Sequence, residues 1–194
     1  MFRIFQPHLR IESVTELTPS RLEELGLRSL LLDVDCTLKY YRSEELPQNI
    51  VRWRDSMRAA NIGLCLVSNG RAHRISRFAE SVGIPFVAPA MKPLPFGCNT
   101  AIKIMGFDKK TTAMVGDQVF ADLLAGKFAG LFTILVTPLS PEQEPWFARI
   151  KRPFEKLVLR PRLAASPGDY PPNNMSIARG MPEIGPPPYL ATPR

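Results

Sequence analysis

Two aspartates, Asp33 and Asp35, stand two residues apart at the end of the apolar run in SLLLDVDCTL, residues 29–38. A carboxylate that is buried without a partner costs several kcal/mol or shifts its pKa until it is neutral. Other groups must therefore compensate this pair. Two acids at one centre can share the work of group transfer, because one attacks as nucleophile while the other donates a proton to the leaving alcohol.

Polar side chains also follow other apolar runs along the chain. They are Ser68, Asn69, Lys92 and Asp117. Because ligands bind at the carboxyl ends of the strands in α/β sheets, we expect these side chains to converge at one edge. Oxygen atoms of Asp33 and Asp117 suit Mg²⁺, which also takes a phosphate oxygen. Ser68 and Lys92 would stabilise charge on a phosphoryl group. The set predicts Mg²⁺-dependent phosphoryl transfer.

The elements that must position these residues alternate between strand-like and helix-like segments. Five apolar runs predict buried parallel strands: SLLLDVD, IGLCLVSNG, PFVAP, TTAMVGD and LFTILVTPL. Apolar residues at helical spacing predict helices at about residues 48–60, 72–82, 96–105 and 119–128. This alternation predicts an α/β fold, with a mostly parallel central sheet between two layers of helices.

The four polar segments together resemble the motifs of the haloacid dehalogenase (HAD) superfamily of phosphatases. LLDVDCTL resembles the first motif, DxDxT, which implies that Asp33 is the nucleophile, Asp35 the acid and base, and Thr37 a support of the loop. LVSNG resembles the second motif and Lys92 stands for the third. Both follow in the family's order.

VGDQVFAD resembles the fourth motif, with Asp117 on the metal and Asp122 as its acidic companion. The resemblance thus implies catalytic and metal-binding residues and a Mg²⁺ cofactor. The catalytic residues are Asp33, Asp35 and Lys92, and the metal-binding residues are Asp33, Asp35, Asp117 and Asp122. The substrate-binding residues are Thr37, Ser68 and Asn69, with Arg71 and Arg74 as candidates that are equally well explained as solvated helix charges.

Residues 7–160 also resemble a smaller group, the YqeG-like proteins of subfamily IIIA, which are related to phosphatidylglycerophosphate phosphatases. This resemblance implies phosphatidylglycerophosphate as substrate and phosphatidylglycerol as product. The sequence departs from the group at Cys36 and at Gly70, where asparagine is usual. Neither position supplies the core chemistry, so the departures bear on substrate preference.

The intervals from Asp35 to Ser68 and from Gly70 to Lys92 each have room for one helix and one strand. We therefore expect a HAD-like, Rossmannoid three-layer sandwich without a cap domain. An uncapped site cannot by itself enclose a small substrate and expel water. It can accept a phosphate that a large surface presents, which favours a lipid or macromolecular phosphate over a free metabolite.

The chain has 194 residues and a net charge of +7, which favours an anionic partner. We expect a phosphorylated lipid or another phosphate monoester and an acidic membrane surface, and we expect no nucleic acid. Three dispersed cysteines and two histidines make a zinc site improbable. Without a signal peptide or a membrane-spanning run, the expected location is the cytoplasm, peripheral to the inner face of a membrane.

Composition divides the chain into a domain of residues 1–160 and a Pro-rich tail of residues 161–194, which is predicted to be disordered. Two segments mix apolar and basic residues. Residues 146–157 suit core packing or membrane contact, and residues 1–5 suit an interfacial anchor.

Several alternatives remain at this stage. The aspartate pair could be a helix cap or surface turn, or a DxD glycosyltransferase motif, but neither explains Lys92 and Asp117. A receiver domain also uses strand-end aspartates, a hydroxyl and a lysine, but its phosphorylated aspartate is not followed two residues later by a second acid. CTLKYYR and CLVSNGR have the C-x5-R spacing of cysteine-dependent phosphatases, which require a thiolate of depressed pKa. Within the HAD reading, a soluble phosphatase of metabolites, nucleotides or phosphoproteins and a non-catalytic membrane scaffold remain open.

Overall fold

The computed structural model describes residues 3–41 and 43–140. These residues form a six-stranded sheet in the order β1-β6-β5-β2-β3-β4, and every pair of neighbouring strands is parallel. The strands are β1 (Leu9–Ile11), β2 (Ser29–Leu32), β3 (Gly63–Val67), β4 (Phe86–Val87), β5 (Thr112–Gly116) and β6 (Phe132–Val136).

Helices connect the strands. They are α1 (Pro19–Glu24), α2 (Gln48–Ala59), α3 (Ala72–Val82), α4 (Phe96–Met105) and α5 (Leu124–Ala129). Short 3-10 helices occur at Arg3–Phe5, Val14–Glu16 and Lys109–Thr111. A π-helical turn, Val119–Leu123, leads directly into α5.

Both faces of the central strands are apolar and covered, which explains why they read as continuous apolar runs. In β2, Leu30 and Leu32 pack in one hydrophobic core, whereas Leu31 packs in a second core. The same alternation places Leu66 of β3 in the first core and Cys65 in the second. Successive side chains of a strand point to opposite faces, so the sheet separates the two cores.

The predicted α/β fold with a parallel sheet is confirmed, including its five predicted strands and four predicted helices. Only α2 lies between β2 and β3, and only α3 between β3 and β4, so the described residues of these intervals contain no cap domain. β1 and α1 were not predicted. β1 has three residues, and the exposed Arg10 interrupts its apolar pattern.

Several predictions concern residues outside the described ranges. These are the domain boundary at residue 160, the tail of residues 161–194, the segment of residues 146–157 and the first two residues. The rest of the proposed N-terminal anchor is described, and there the Phe5 ring packs edge-on against Phe120. None of the helices described is both long and apolar enough to cross a membrane.

The side chain of His8, next to the edge strand β1, contacts β6. Its Nδ1 accepts a hydrogen bond from Thr133 N at 2.9 Å, and its ring stacks on Phe132. Burial, and then the nearby charge of Lys127, lower the pKa of His8 to about 4. At neutral pH the His8 ring is therefore uncharged in the folded protein.

We predict that acid weakens this attachment. Because the pKa of His8 is lower in the folded than in the unfolded chain, its stabilising effect is complete above about pH 6.5 and declines as the pH falls towards 4. Urea unfolding between pH 7 and 5 should show the wild type losing stability relative to His8→Asn. Because a single proton is involved, the difference cannot exceed about 1.4 kcal/mol per pH unit, and solvent screening of this partly buried ring makes it smaller. Parallel losses in both proteins would contradict the prediction.

Candidate active site

The polar residues that follow the strands meet at the carboxyl edge of the sheet. Asp33 comes directly after β2, and its backbone N–H continues the strand pairing by donating to Val115 O at 2.9 Å. Ser68 comes directly after β3 and donates its N–H to Val87 O at 3.1 Å. Asp117 directly follows β5. The backbone positions of these residues are therefore fixed by the sheet.

Three buried carboxylates form a cluster at this edge. One oxygen each of Asp33, Asp117 and Asp122 lies within 4.8 Å of the others. Asp122 reaches the cluster from the π-helical turn, where its second oxygen accepts a hydrogen bond from Gln118 N. Its carboxylate passes close over Gly116, where a Cβ atom would come within 2.3 Å of it. Glycine at this position therefore makes room for Asp122.

The buried ammonium of Lys92 is bound by three acceptors. Its Nζ lies 2.5 Å from Asp33 Oδ1, 2.6 Å from Asp122 Oδ1 and 2.8 Å from Val67 O. An ammonium group has three donors, so these contacts satisfy it completely. Lys92 thus provides a positive charge that compensates the buried carboxylate of Asp33, as the sequence led us to expect.

One ammonium does not neutralise three acids, and the pKa values reflect this. Burial raises the pKa of Asp33, Lys92 lowers it and Asp122 raises it again, to about 7. Burial alone would lower the pKa of Lys92, but the charges of Asp122 and Asp33 raise it above its ordinary value. Lys92 therefore stays charged, and the cluster has negative charge in excess.

Asp35 occupies a different environment. Arg74 holds its carboxylate with two hydrogen bonds of 2.9 and 2.5 Å, and Lys39 Nζ lies 3.0 Å from Oδ1. Burial would raise the pKa of Asp35, but its bonds and charge contacts with Arg74 and Lys39 lower it below the ordinary value. Asp35 is outside the three-carboxylate cluster, so its metal role stays a prediction. Because β2 ends at Leu32, Asp35 lies in the loop that follows the strand.

The remaining predicted residues surround these two centres. The Thr37 hydroxyl donates to Asp117 Oδ1 at 3.2 Å. The buried Ser68 Oγ accepts from Gly70 N at 3.1 Å. Asn69 exchanges two 2.8 Å hydrogen bonds with the backbone of Lys92, which ties the loop after β3 to the loop after β4. Arg71 is exposed, and its substrate role stays a prediction.

Sequence reasoning missed Lys39. Its side chain is buried, and besides Asp35 it bonds to Ser43 O at 2.6 Å. The sequence feature that could have indicated this pairing is the position of Lys39, four residues after Asp35. Gly70, noted only as a departure from the group, also has a structural role. A Cβ atom there would meet Arg74 Nη2 at 2.6 Å, so glycine leaves space for the guanidinium that holds Asp35.

The structure argues against cysteine-dependent chemistry. Burial raises the pKa of Cys65 to about 12, the opposite of what a nucleophilic thiolate needs. Cys36 is buried, and its thiol lies 3.8 Å from Ser140 O.

The carboxylate cluster fits a divalent cation. Three buried carboxylates with one ammonium leave negative charge in excess, and hard oxygen donors are the ligands that Mg²⁺ prefers. Lys92 occupies one oxygen each of Asp33 and Asp122, so further carboxylate oxygens remain in the cluster as donors.

Two known phosphatases are similar in sequence to this chain. The chain is 29% identical over 157 residues to the probable phosphatase YqeG of Bacillus subtilis, covering 81% of this chain and 91% of YqeG. It is 24% identical over 173 residues to the chloroplastic and mitochondrial phosphatidylglycerophosphate phosphatase 1 of Arabidopsis thaliana, covering 79% of this chain and 47% of that protein.

Among solved structures, it resembles the cobalt-bound deoxy-D-mannose-octulosonate 8-phosphate phosphatase YrbI of Haemophilus influenzae, with a TM-score of 0.45 and 19% identity over 60% of this chain and 71% of YrbI. It also resembles magnesium-bound YfnB of Bacillus subtilis, with a TM-score of 0.42 and 20% identity over 53% of this chain and 48% of YfnB.

A family model matches residues 11–130, which include every predicted site residue. This match and the two relatives confirm the predicted resemblance and the prediction of an enzyme. The chain belongs to the haloacid dehalogenase-like hydrolases.

Proposed function

We propose that this protein hydrolyses a phosphate monoester through an aspartyl-phosphate on Asp33, with Mg²⁺ as cofactor. The observation that carries the proposal is the fixed position of the Asp33 carboxylate. It is nearly buried at the carboxyl edge of the sheet, 2.5 Å from the Lys92 ammonium, in a cluster with two further acids.

Asp33, Asp117 and Asp122 would hold the metal, and Thr37 keeps the Asp117 carboxylate in place. When bound, Mg²⁺ neutralises negative charge on the acids and on the phosphoryl oxygens. The charge of Lys92 would also stabilise the phosphoryl oxygens, while its hydrogen bond orients Asp33. The Ser68 hydroxyl, at the adjacent strand end, would donate to another of these oxygens.

The chemistry divides between the two aspartates of the first motif. An oxygen of Asp33 bonds to phosphorus as the ester O–P bond breaks, and the leaving alcohol takes a proton from Asp35. A water molecule then gives a proton to Asp35 and attacks phosphorus. This step releases inorganic phosphate and restores Asp33.

Arg74 and Lys39 stabilise the ionised form of Asp35, which is the form that accepts the proton of water. For the first step Asp35 must carry a proton, so its pairing with Arg74 has to loosen when substrate binds. The Arg74 side chain is 40% exposed, which leaves it room to move. An anionic substrate would attract the guanidinium and so promote this loosening.

We propose phosphatidylglycerophosphate as the substrate, at the surface of a membrane to which the protein binds peripherally. Support comes from the similarity to phosphatidylglycerophosphate phosphatase 1, from the net positive charge and from the lack of a cap domain among the described residues between β2 and β4. A soluble monoester and a non-catalytic scaffold are the alternatives that the following experiment separates.

The proposed activity can be tested by phosphate release from phosphatidylglycerophosphate in mixed detergent micelles with Mg²⁺. The wild type should turn over the lipid. Asp33→Asn should lose at least about a thousandfold in rate, because an amide cannot form the acyl-phosphate. Asp55→Asn, which changes an exposed aspartate paired with Arg54, is the matched control and should match the wild type.

p-Nitrophenyl phosphate should be measured beside the lipid. Turnover of this soluble ester alone would support phosphatase activity and contradict phosphatidylglycerophosphate as the substrate. If folded protein with Mg²⁺ hydrolysed neither compound, the scaffold alternative would be favoured.

We predict that Mg²⁺ stabilises the fold through the carboxylate cluster. A ligand at a hundred times its Kd raises the free energy of unfolding by about 2.7 kcal/mol. Thermal unfolding with Mg²⁺ and with EDTA should show a rise in Tm for the wild type and for Asp55→Asn. Asp122→Asn should lose most of that rise, because it removes a negative charge from the cluster. An unchanged rise in Asp122→Asn would exclude Asp122 from the metal site.

A further inference from the structure

Three large apolar side chains are exposed beside the catalytic lysine. Met91, Leu94 and Phe96 are 54%, 45% and 56% exposed. Seven large apolar or aromatic residues are exposed in the described part of the chain, and these three fall within six consecutive positions around Lys92. We call Met91, Leu94 and Phe96 the apolar rim.

The backbone holds the apolar rim outward while Lys92 points inward. Met91 adopts a φ of 57°, in the left-handed region that L residues rarely occupy, between the buried residues Ala90 and Lys92. Leu94 N donates to Met91 O at 3.0 Å, and Gly97 N donates to Ala90 O at 3.1 Å. These two bonds close the loop at its base, so the exposed side chains lie on a fixed turn.

The chain segment that contains the apolar rim has more basic than acidic residues. Between Ser68 and Phe107 the only acidic residue is Glu80. Asn69 ties the loop after β3 to the backbone of Lys92. Arg71 and Arg77, which follow this loop, are exposed, whereas Arg74 between them is paired with Asp35.

Apolar side chains flanked by arginines suit a membrane whose surface carries anionic lipids, because the apolar groups enter the acyl boundary while the arginines meet the headgroups. We propose that the apolar rim and the arginines after β3 dock this protein on an anionic bilayer, with the open edge of the sheet facing the lipid. The inference rests on the proposed function and deepens it. A bilayer at this edge brings headgroup phosphates towards Lys92 and excludes water on the side that the described residues between β2 and β4 leave without a cap domain.

Flotation with vesicles tests the docking surface with the full chain. One set of vesicles contains equal parts of phosphatidylglycerol and phosphatidylcholine, and the other contains phosphatidylcholine alone. The double variant Leu94→Ser/Phe96→Ser removes most of the apolar rim. The matched control, Ile104→Ser/Phe128→Ser, removes two similarly exposed apolar side chains near the C-terminal ends of α4 and α5, at the opposite edge of the sheet.

The wild type and the control should bind the anionic vesicles equally and prefer them to phosphatidylcholine. The rim variant should bind at least about tenfold more weakly, since two large side chains no longer enter the lipid. Its melting temperature and its rate with p-nitrophenyl phosphate should stay those of the wild type. Met91→Gly supplies an independent test, because it relieves the left-handed strain and should keep or raise the melting temperature while it weakens flotation.

Equal flotation of the rim variant and the control would overturn the proposal and leave the apolar rim to a protein partner. A wild type without preference for anionic vesicles would overturn it as well. Failure of the lipid substrate is recognised separately, because turnover of phosphatidylglycerophosphate in detergent micelles does not depend on docking to a bilayer. Vesicle binding that is lost in the rim variant would support the docking surface even if that turnover were absent.

Discussion

The buried ammonium of Lys92 connects the parts of the active site that come from distant segments of the chain. It bridges Asp33, which follows β2, and Asp122, which lies before α5, and it also bonds to the end of β3 through Val67 O. A buried ion pair repays its desolvation only when the geometry and the remaining hydrogen bonds are good. Here all three donors of the ammonium have partners, which is why the charge can be buried and the position can be fixed.

The loops around this lysine reinforce one another. The Asn69 side chain, in the loop after β3, forms two hydrogen bonds with the backbone of Lys92. Within the loop that contains Lys92, Gly97 N donates a hydrogen bond to Ala90 O. A Cβ atom at Gly97 would come within 2.7 Å of Ala90 backbone atoms, so only glycine permits this approach. The same closure fixes the exposed side chains of the apolar rim. The proposed catalytic lysine and the proposed docking surface are therefore held in place by the same loop contacts.

The sequence predicted most of this fold because the central strands are apolar on both faces, which makes them continuous and easily recognised. It failed at β1, where three residues include the exposed Arg10 and the pairing with β6 spans more than half of the chain. Asp33, Asp117 and Lys92 could be predicted because each follows a strand, whereas Asp122, in the π-helical turn, was predicted only from the resemblance of VGDQVFAD to the fourth motif. The pairing of Arg74 and Lys39 with Asp35 could not, because a charged residue read locally is expected to be solvated, and tertiary packing alone buries Lys39.

The two aspartates of the first motif differ by how their positive partners are distributed. Burial raises the pKa of Asp33, and the one ammonium that it shares with Asp122 does not offset this, whereas Arg74 and Lys39 together lower the pKa of Asp35 in spite of its burial. Neither shift matches the first step of the proposed reaction, which needs Asp33 ionised and Asp35 protonated. Ligand charges would act in the required direction on both groups. A divalent cation held by the three acids would favour the ionised form of Asp33, and a phosphate dianion that attracts Arg74 would raise the pKa of Asp35. In the proposed mechanism, the unequal distribution of cations would thus make the reactive protonation state depend on the metal and the substrate together.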